Sequence, residues 1–140
     1  MNHESLDQFL GEIDLFNRLS VDTRSDLVER GTTFELPPGR HVTDQGEHDT
    51  GLHVVMDGSA DVSVNGVFRG TLRPGDYFGE ISLIDGLPRS STVVAGPDGL
   101  TTFALSALAF EPVIKENSDV ADALLKALCA RIRAIEESER

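Results

Sequence analysis

Hydrophobic positions recur at helical spacing near both ends of the chain and at strand-like spacing between them. Ser5-Leu6-Asp7-Gln8 has the form of a capping box, Ser followed three residues later by Gln, and predicts a first helix. Ser20-Val21-Asp22-Thr23 predicts a second, with Asp22 at its positive end, Leu27 and Val28 on its apolar side and Gly31 as its stop. From Thr32 to about Leu105 the period shortens. Residues 52–56 read as a buried strand ending at Asp57-Gly58, and 60–64 alternate apolar with polar. Asn65-Gly66 is a favoured two-residue hairpin turn, with Val67-Phe68-Arg69 starting the return strand. Residues 92–95 and 100–105 predict one more strand pair around Gly96-Pro97-Asp98-Gly99. Ser106 and Ser118 begin two final helices. Pro112 interrupts or kinks the first, and Leu124, Leu125, Leu128, Ile132 and Ile135 form a stripe on the second. Residues 136–140 read as solvated and frayed.

Short strands separated by Pro37-Pro38-Gly39, Gln45-Gly46-Glu47 and Arg73-Pro74-Gly75-Asp76 point to a mainly β fold with flanking helices. The expectation is an antiparallel jelly-roll β-barrel with N-terminal helices and C-terminal lid helices. Residues 1–140 would form a single domain: a helical entry over about 4–30, a barrel over about 32–105 and C-terminal helices over about 106–138.

Charge narrows the partners. The formal net charge is −12, from 24 acidic and 12 basic residues, and such a surface repels a nucleic-acid backbone. A small anion needs only one local positive site, so it is not disfavoured. The single cysteine, Cys129, forms no internal disulfide and no metal framework, and it reads as a core residue on the apolar side of the last helix. No apolar run is long enough to span a bilayer, and Met1-Asn2-His3-Glu4-Ser5 lacks the pattern of a secretory signal. A cytoplasmic protein without membrane or nucleic-acid partners is expected.

Candidate chemistry concentrates in residues 77–95. Phe78 ends a strand, Gly79 permits close backbone approach, and Glu80-Ile81-Ser82-Leu83-Ile84 suffices for about one helical turn. A short helix between strands leaves backbone N–H groups free at its start, and Arg89 adds a planar fork that matches a phosphate. Glu80, when ionised, only accepts hydrogen bonds, so its natural partner is a hydroxyl. Phosphate donors beside a hydroxyl acceptor describe a ribose phosphate.

Phe78-Gly79-Glu80-Ile81-Ser82-Leu83 followed by Pro88-Arg89-Ser90-Ser91-Thr92-Val93 resembles the phosphate-binding cassette of the cyclic nucleotide-binding domain family. Leu15-Phe16 with Leu19-Ser20, the Gln45-Gly46-Glu47 turn, and Val54-Val55-Met56-Asp57-Gly58 with Ala60 extend the resemblance over most of the chain. The resemblance implies that Glu80 accepts the ribose 2′-hydroxyl and Arg89 pairs with the cyclic phosphate. Gly79, Ile81, Ser82 and Ser90 would offer backbone N–H groups, with Ser91 beside them in place of the family's common Ala. It also implies a regulatory sensor without catalytic activity or cofactor, for which cAMP is favoured over cGMP. Ser90 stands where cGMP-preferring members often carry Thr and many cAMP-preferring members Ala, which leaves that choice open.

Arg131 and Arg133 are candidates for capping the base, although solvated arginines near Glu136 and Glu137 are the plainer reading. The Leu/Ile stripe serves either packing on the barrel or a seam between two copies, a homodimer. His41, His48 and His53 raise a metal-dependent barrel enzyme, but no H-x-H pair or suitably spaced carboxylate supports it. Ser82, Ser90 and Ser91 lack an activating His. Output is expected through a protein effector, by movement of the terminal helix. The alternative is an interaction module that keeps the fold but has lost nucleotide binding.

Overall fold

The structure, a computed structural model, describes residues 2–138. Its elements are α1 (His3–Leu10), α2 (Val21–Arg30), β1 (Thr32–Leu36), β2 (His41–Thr43), β3 (Leu52–Val64), β4 (Val67–Leu72), β5 (Tyr77–Phe78), α3 (Glu80–Asp85), β6 (Thr92–Leu105), α4 (Ala107–Glu116) and α5 (Ser118–Ser138). The helical entry, β-rich middle and helical end follow the pattern of the sequence. Ser20 caps α2 by accepting from the Thr23 N–H, and Ser106 caps α4 by accepting from the Ala109 N–H. Ser5 does not cap α1. Asn2 does so, its Oδ1 accepting from the Ser5 N–H at 2.8 Å, because a side-chain acceptor lies one turn earlier than the expected box. Glu139 and Arg140 of the expected frayed end lie outside the described residues, and residues 136–138 are helical.

Two long strands organise the antiparallel sheet, in the order β1-β6-β3-β4 with β2 added to β6 and β5 to β3. The expected strand pair around residues 96–99 is instead one strand, β6, whose halves do not pair with each other. Its first half pairs with the end of β3 (Val62↔Val93) and its second half with the start (Val54↔Phe103). β3 likewise runs on through Asp57-Gly58, where the expected strand end is a register shift between Val55 and Asp57. Such a shift bends a strand without ending it.

The bends create two apolar clusters. Leu52, Val54, Met56, Phe103 and Leu105 pack outward against Leu10, Phe16, Leu27, Phe110 and Leu124 of the helical segments. Val55, Ala60, Phe78, Val93, Ala95 and Leu100 form the inner cluster, which the sheet curls around. Among the described residues β1 and β4 are the ends of the strand order, so the barrel is open along one side. α4 continues through Pro112. α5 is anchored by buried Val120 and Leu124, and from Cys129 onward all its described residues are exposed. Cys129 is therefore a surface thiol and not the core residue expected, because the helix has left the body by that point.

Candidate ligand-binding site

The site forms where β5 gives way to α3. Gly79 takes φ 91°, in the left-handed region, which turns the chain sharply from strand into helix. A Cβ there would meet the Gly51 carbonyl oxygen and, at 2.6 Å, Arg89 Nη1. Glycine thus lets α3 sit against the β3 entry loop. Gly86, also left-handed, ends the helix. The turn buries Glu80 and Ser82, at 3% and 2% exposure, and leaves Ile81 half-buried. A carboxylate so buried needs a partner. Arg131, from α5, bonds to Glu80 Oε1.

Arg89 is 4% exposed and is fixed first by its backbone. Its N–H donates to the Glu47 carbonyl at 2.8 Å, and its own carbonyl accepts from the Gly46 N–H at 2.9 Å. Its Nη1 donates to the Gly79 carbonyl at 3.3 Å, and Nη2 lies 3.2 Å from Asp49 Oδ2. That ion pair lacks hydrogen-bond alignment. Nε and Nη2 are both buried without a hydrogen-bond partner, an uncommon condition for a guanidinium. Burial alone would raise the Asp49 carboxyl, but the Gly51 N–H and the Arg89 charge outweigh it and hold Asp49 below its ordinary value. Tyr77, near Glu80, Arg131 and Asp14, has its phenol pushed up by burial first and by the Glu80 charge next.

The structure thus sets Arg89 against Gly79 and buries Glu80 and Ser82 in the adjoining helix, with Glu80 paired to Arg131. Ser90 is exposed beside Arg89, and Ser91 is half-buried, its carbonyl accepting from Thr43 Oγ1 at 3.5 Å. Of the two base-capping candidates, Arg131 reaches the site. Arg133 is exposed, and two helical residues turn it about 200° away. Asp49 and His53 join the site without any sequence signal, since only the pairing of β3 with β5 (His53↔Phe78) carries their segment to it. Among the described residues, no three His, Cys, Asp or Glu side chains group to hold a metal. His41 pairs instead with Asp44 at 2.6 Å.

Residues 33–117 match the family model described as cyclic nucleotide-binding domain. The chain belongs to the cyclic nucleotide-binding domain family. Among curated members it is similar to the cAMP-dependent protein kinase regulatory subunit of Yarrowia lipolytica, 36% identical over 91 residues, 64% of this chain and 24% of that protein. The corresponding subunit of Debaryomyces hansenii is 30% identical over 114 residues, 81% of this chain and 25% of that protein. The chain spans about a quarter of the length of these relatives. Among solved members, the regulatory domain of Toxoplasma gondii PKA with cAMP superposes with a TM-score of 0.81 at 24% identity, over 91% of this chain and 50% of that one. Thermus thermophilus catabolite activator protein gives 0.76 at 25% identity, over 89% and 61%. The open barrel is therefore the family's jelly-roll fold. Among the described residues no helix is long and apolar enough to cross a membrane.

Proposed function

We propose that this chain is a cyclic-nucleotide sensor module, with cAMP its favoured ligand and no catalytic role. The observation that carries the reading is Arg89, a buried cation whose Nε and Nη2 lack a hydrogen-bond partner and whose ion-pair partner, Asp49, is itself 58% exposed. A cyclic phosphate satisfies those donors with charge-assisted bonds and takes the place of Asp49 on Arg89. By the family resemblance, Gly79, Ile81, Ser82 and Ser90 would offer backbone N–H groups to the same ribose phosphate, with Ser91 beside them. Kinase regulatory subunits named for cAMP support that ligand, while a cGMP-dependent protein kinase is similar as well, at 32% identity over 88 residues, so titration decides between the two nucleotides.

Glu80 supplies the link to output. Its carboxylate holds Arg131 of α5 and is also the acceptor suited to a ribose 2′-hydroxyl. Ligand and helix therefore share one acceptor, so occupancy of the site biases the position of α5, and anything α5 contacts feels the ligand. The effector is a protein that reads that helix.

A second copy is one such contact. Leu125, Leu128, Ile132 and Ile135 follow the 3-4-3 spacing of a coiled-coil seam, and Leu125, Ile132 and Ile135 are 63%, 55% and 57% exposed. Arg131 and Glu136 flank that seam at the g and e positions, complementary across a parallel pair. The nucleotide reading is tested by calorimetric titration of protein stripped of ligand by unfolding and refolding, with cAMP and then cGMP. Saturable heat with the tighter affinity for cAMP is expected. No heat with either nucleotide favours the interaction module that has lost its ligand.

A further inference from the structure

At the open side of the barrel lies a cavity of about 480 Å³, lined by Phe34, His41, Asp49, Gly51 and His53 among others. His53 is its most constrained polar group. Its ring stacks on Phe78 with centroids 5.0 Å apart and planes within 4°, and Phe34 stands at 6.4 Å. Nδ1 lies 3.2 Å from Thr102 Oγ1. The packed strands β1, β5 and β6 thus set Phe34, Phe78 and the Thr102 hydroxyl against it, with Ala104 as its ladder partner. The charged or titratable groups around it are Asp49 from the preceding loop, Arg89 from behind α3, His41 from β2 and Arg30 from the end of α2.

We infer that His53 takes up a proton when an anion occupies Arg89, and replaces Arg89 as the counter-ion of Asp49. In the free protein Arg89 is the ion-pair partner of Asp49. Burial first, and the Arg89 charge second, push His53 down from 6.5 to about 4 against the opposing pull of Asp49. A phosphate monoanion on Nε and Nη2 cancels the Arg89 field, whereas the Asp49 charge persists. Both effects favour imidazolium, and the ring is already stacked on an aromatic face suited to a cation.

The sign follows by linkage. A group whose proton affinity rises on ligation binds a proton with the ligand, so affinity increases as pH falls through the liganded-state value and levels off below about 4.

The inference depends on the nucleotide reading above, and the two are separable by experiment. Imidazole resonances of the refolded chain are followed by NMR from about pH 7.5 to about pH 5, with and without saturating cAMP, and His53 is assigned through His53→Phe. An upward shift of the His53 titration is expected with cAMP, so that at about pH 5 the liganded chain is the more protonated of the two at this ring. Proton uptake, read from calorimetry in buffers of different ionisation heat, disappears in His53→Phe, or in His53→Gln should the Phe variant not fold. Nucleotide heat with an unchanged His53 titration overturns this inference alone. Absence of nucleotide heat in the unaltered chain overturns the site reading and this inference together.

Discussion

Arg89 and Glu80 are legible from sequence because the residues that make the turn are contiguous with them. A Gly-Glu start, a six-residue helix and a Pro-Arg re-entry fit in one stretch, which is what makes the resemblance to the family's cassette readable. Asp49 and His53 belong to another segment and are invisible until β3 pairs with β5. Ser5 is misleading for a related reason: a capping box is a local pattern, and Asn2 offers an equally local acceptor one turn earlier. Gly79 carries the sharpest residue-scale prediction. Any L-residue there meets a left-handed φ and a Cβ contact with Arg89. Gly79→Ala is expected to cost about 1–3 kcal/mol, seen as a lower urea midpoint at unchanged m-value. An unchanged midpoint would show that the turn is not the constraint described. His53 adds a pH term of its own. Its folded value lies below the ordinary 6.5, so the unfolded chain binds the extra proton and folding loses stability as pH falls from about 6.5 to about 4.

Secondary-structure elements were readable where the hydrophobic period is long and uninterrupted, as in α2 and α5. They were misread where a turn signal lies inside a strand. Gly96-Pro97-Asp98-Gly99 has the composition of a turn, and these residues break the β3 ladder between Ala95 and Leu100, with Gly99 at φ 81°, but both halves of β6 pair with β3 and not with each other. The end of α5 presents the opposite case. Its stripe is plain in sequence, but which half packs depends on how far the body extends: Val120 and Leu124 are buried, while Ile132 and Ile135 are exposed. Beyond Leu128 the bond from Arg131 to Glu80 ties this half to the core. Arg131 is 53% exposed on its side chain, so the tie is worth only about 1 kcal/mol. Arg131→Ala is expected to raise hydrogen exchange in residues 129–138 by roughly fivefold without changing that of β3 and β6. Equal protection in both proteins would remove Arg131 as the link between ligand and helix.

For the molecule as a whole, charge and exposed surface act together. Each chain carries a net charge of −12, so two copies repel, while the proposed Leu125–Ile135 seam would draw them together. Added salt screens the repulsion and leaves the apolar seam intact, so self-association in sedimentation should strengthen with salt and be lost in Ile132→Asp. A monomer at every concentration and salt, with or without nucleotide, would exclude the second copy and leave the sensor reading standing. The same charge makes the proposed phosphate site unusual: an anion would have to approach an acidic molecule, with Arg89 as the buried cation to meet it. The most direct measurement is therefore a calorimetric comparison of the stripped chain with Arg89→Ala, titrated with cAMP after circular dichroism shows that both are folded. Truncating a buried charge partner costs about 2–4 kcal/mol, which corresponds to a loss of affinity of roughly thirty- to a thousandfold. Equal affinity in the two proteins would contradict the account, because the phosphate would then rest on something other than Arg89.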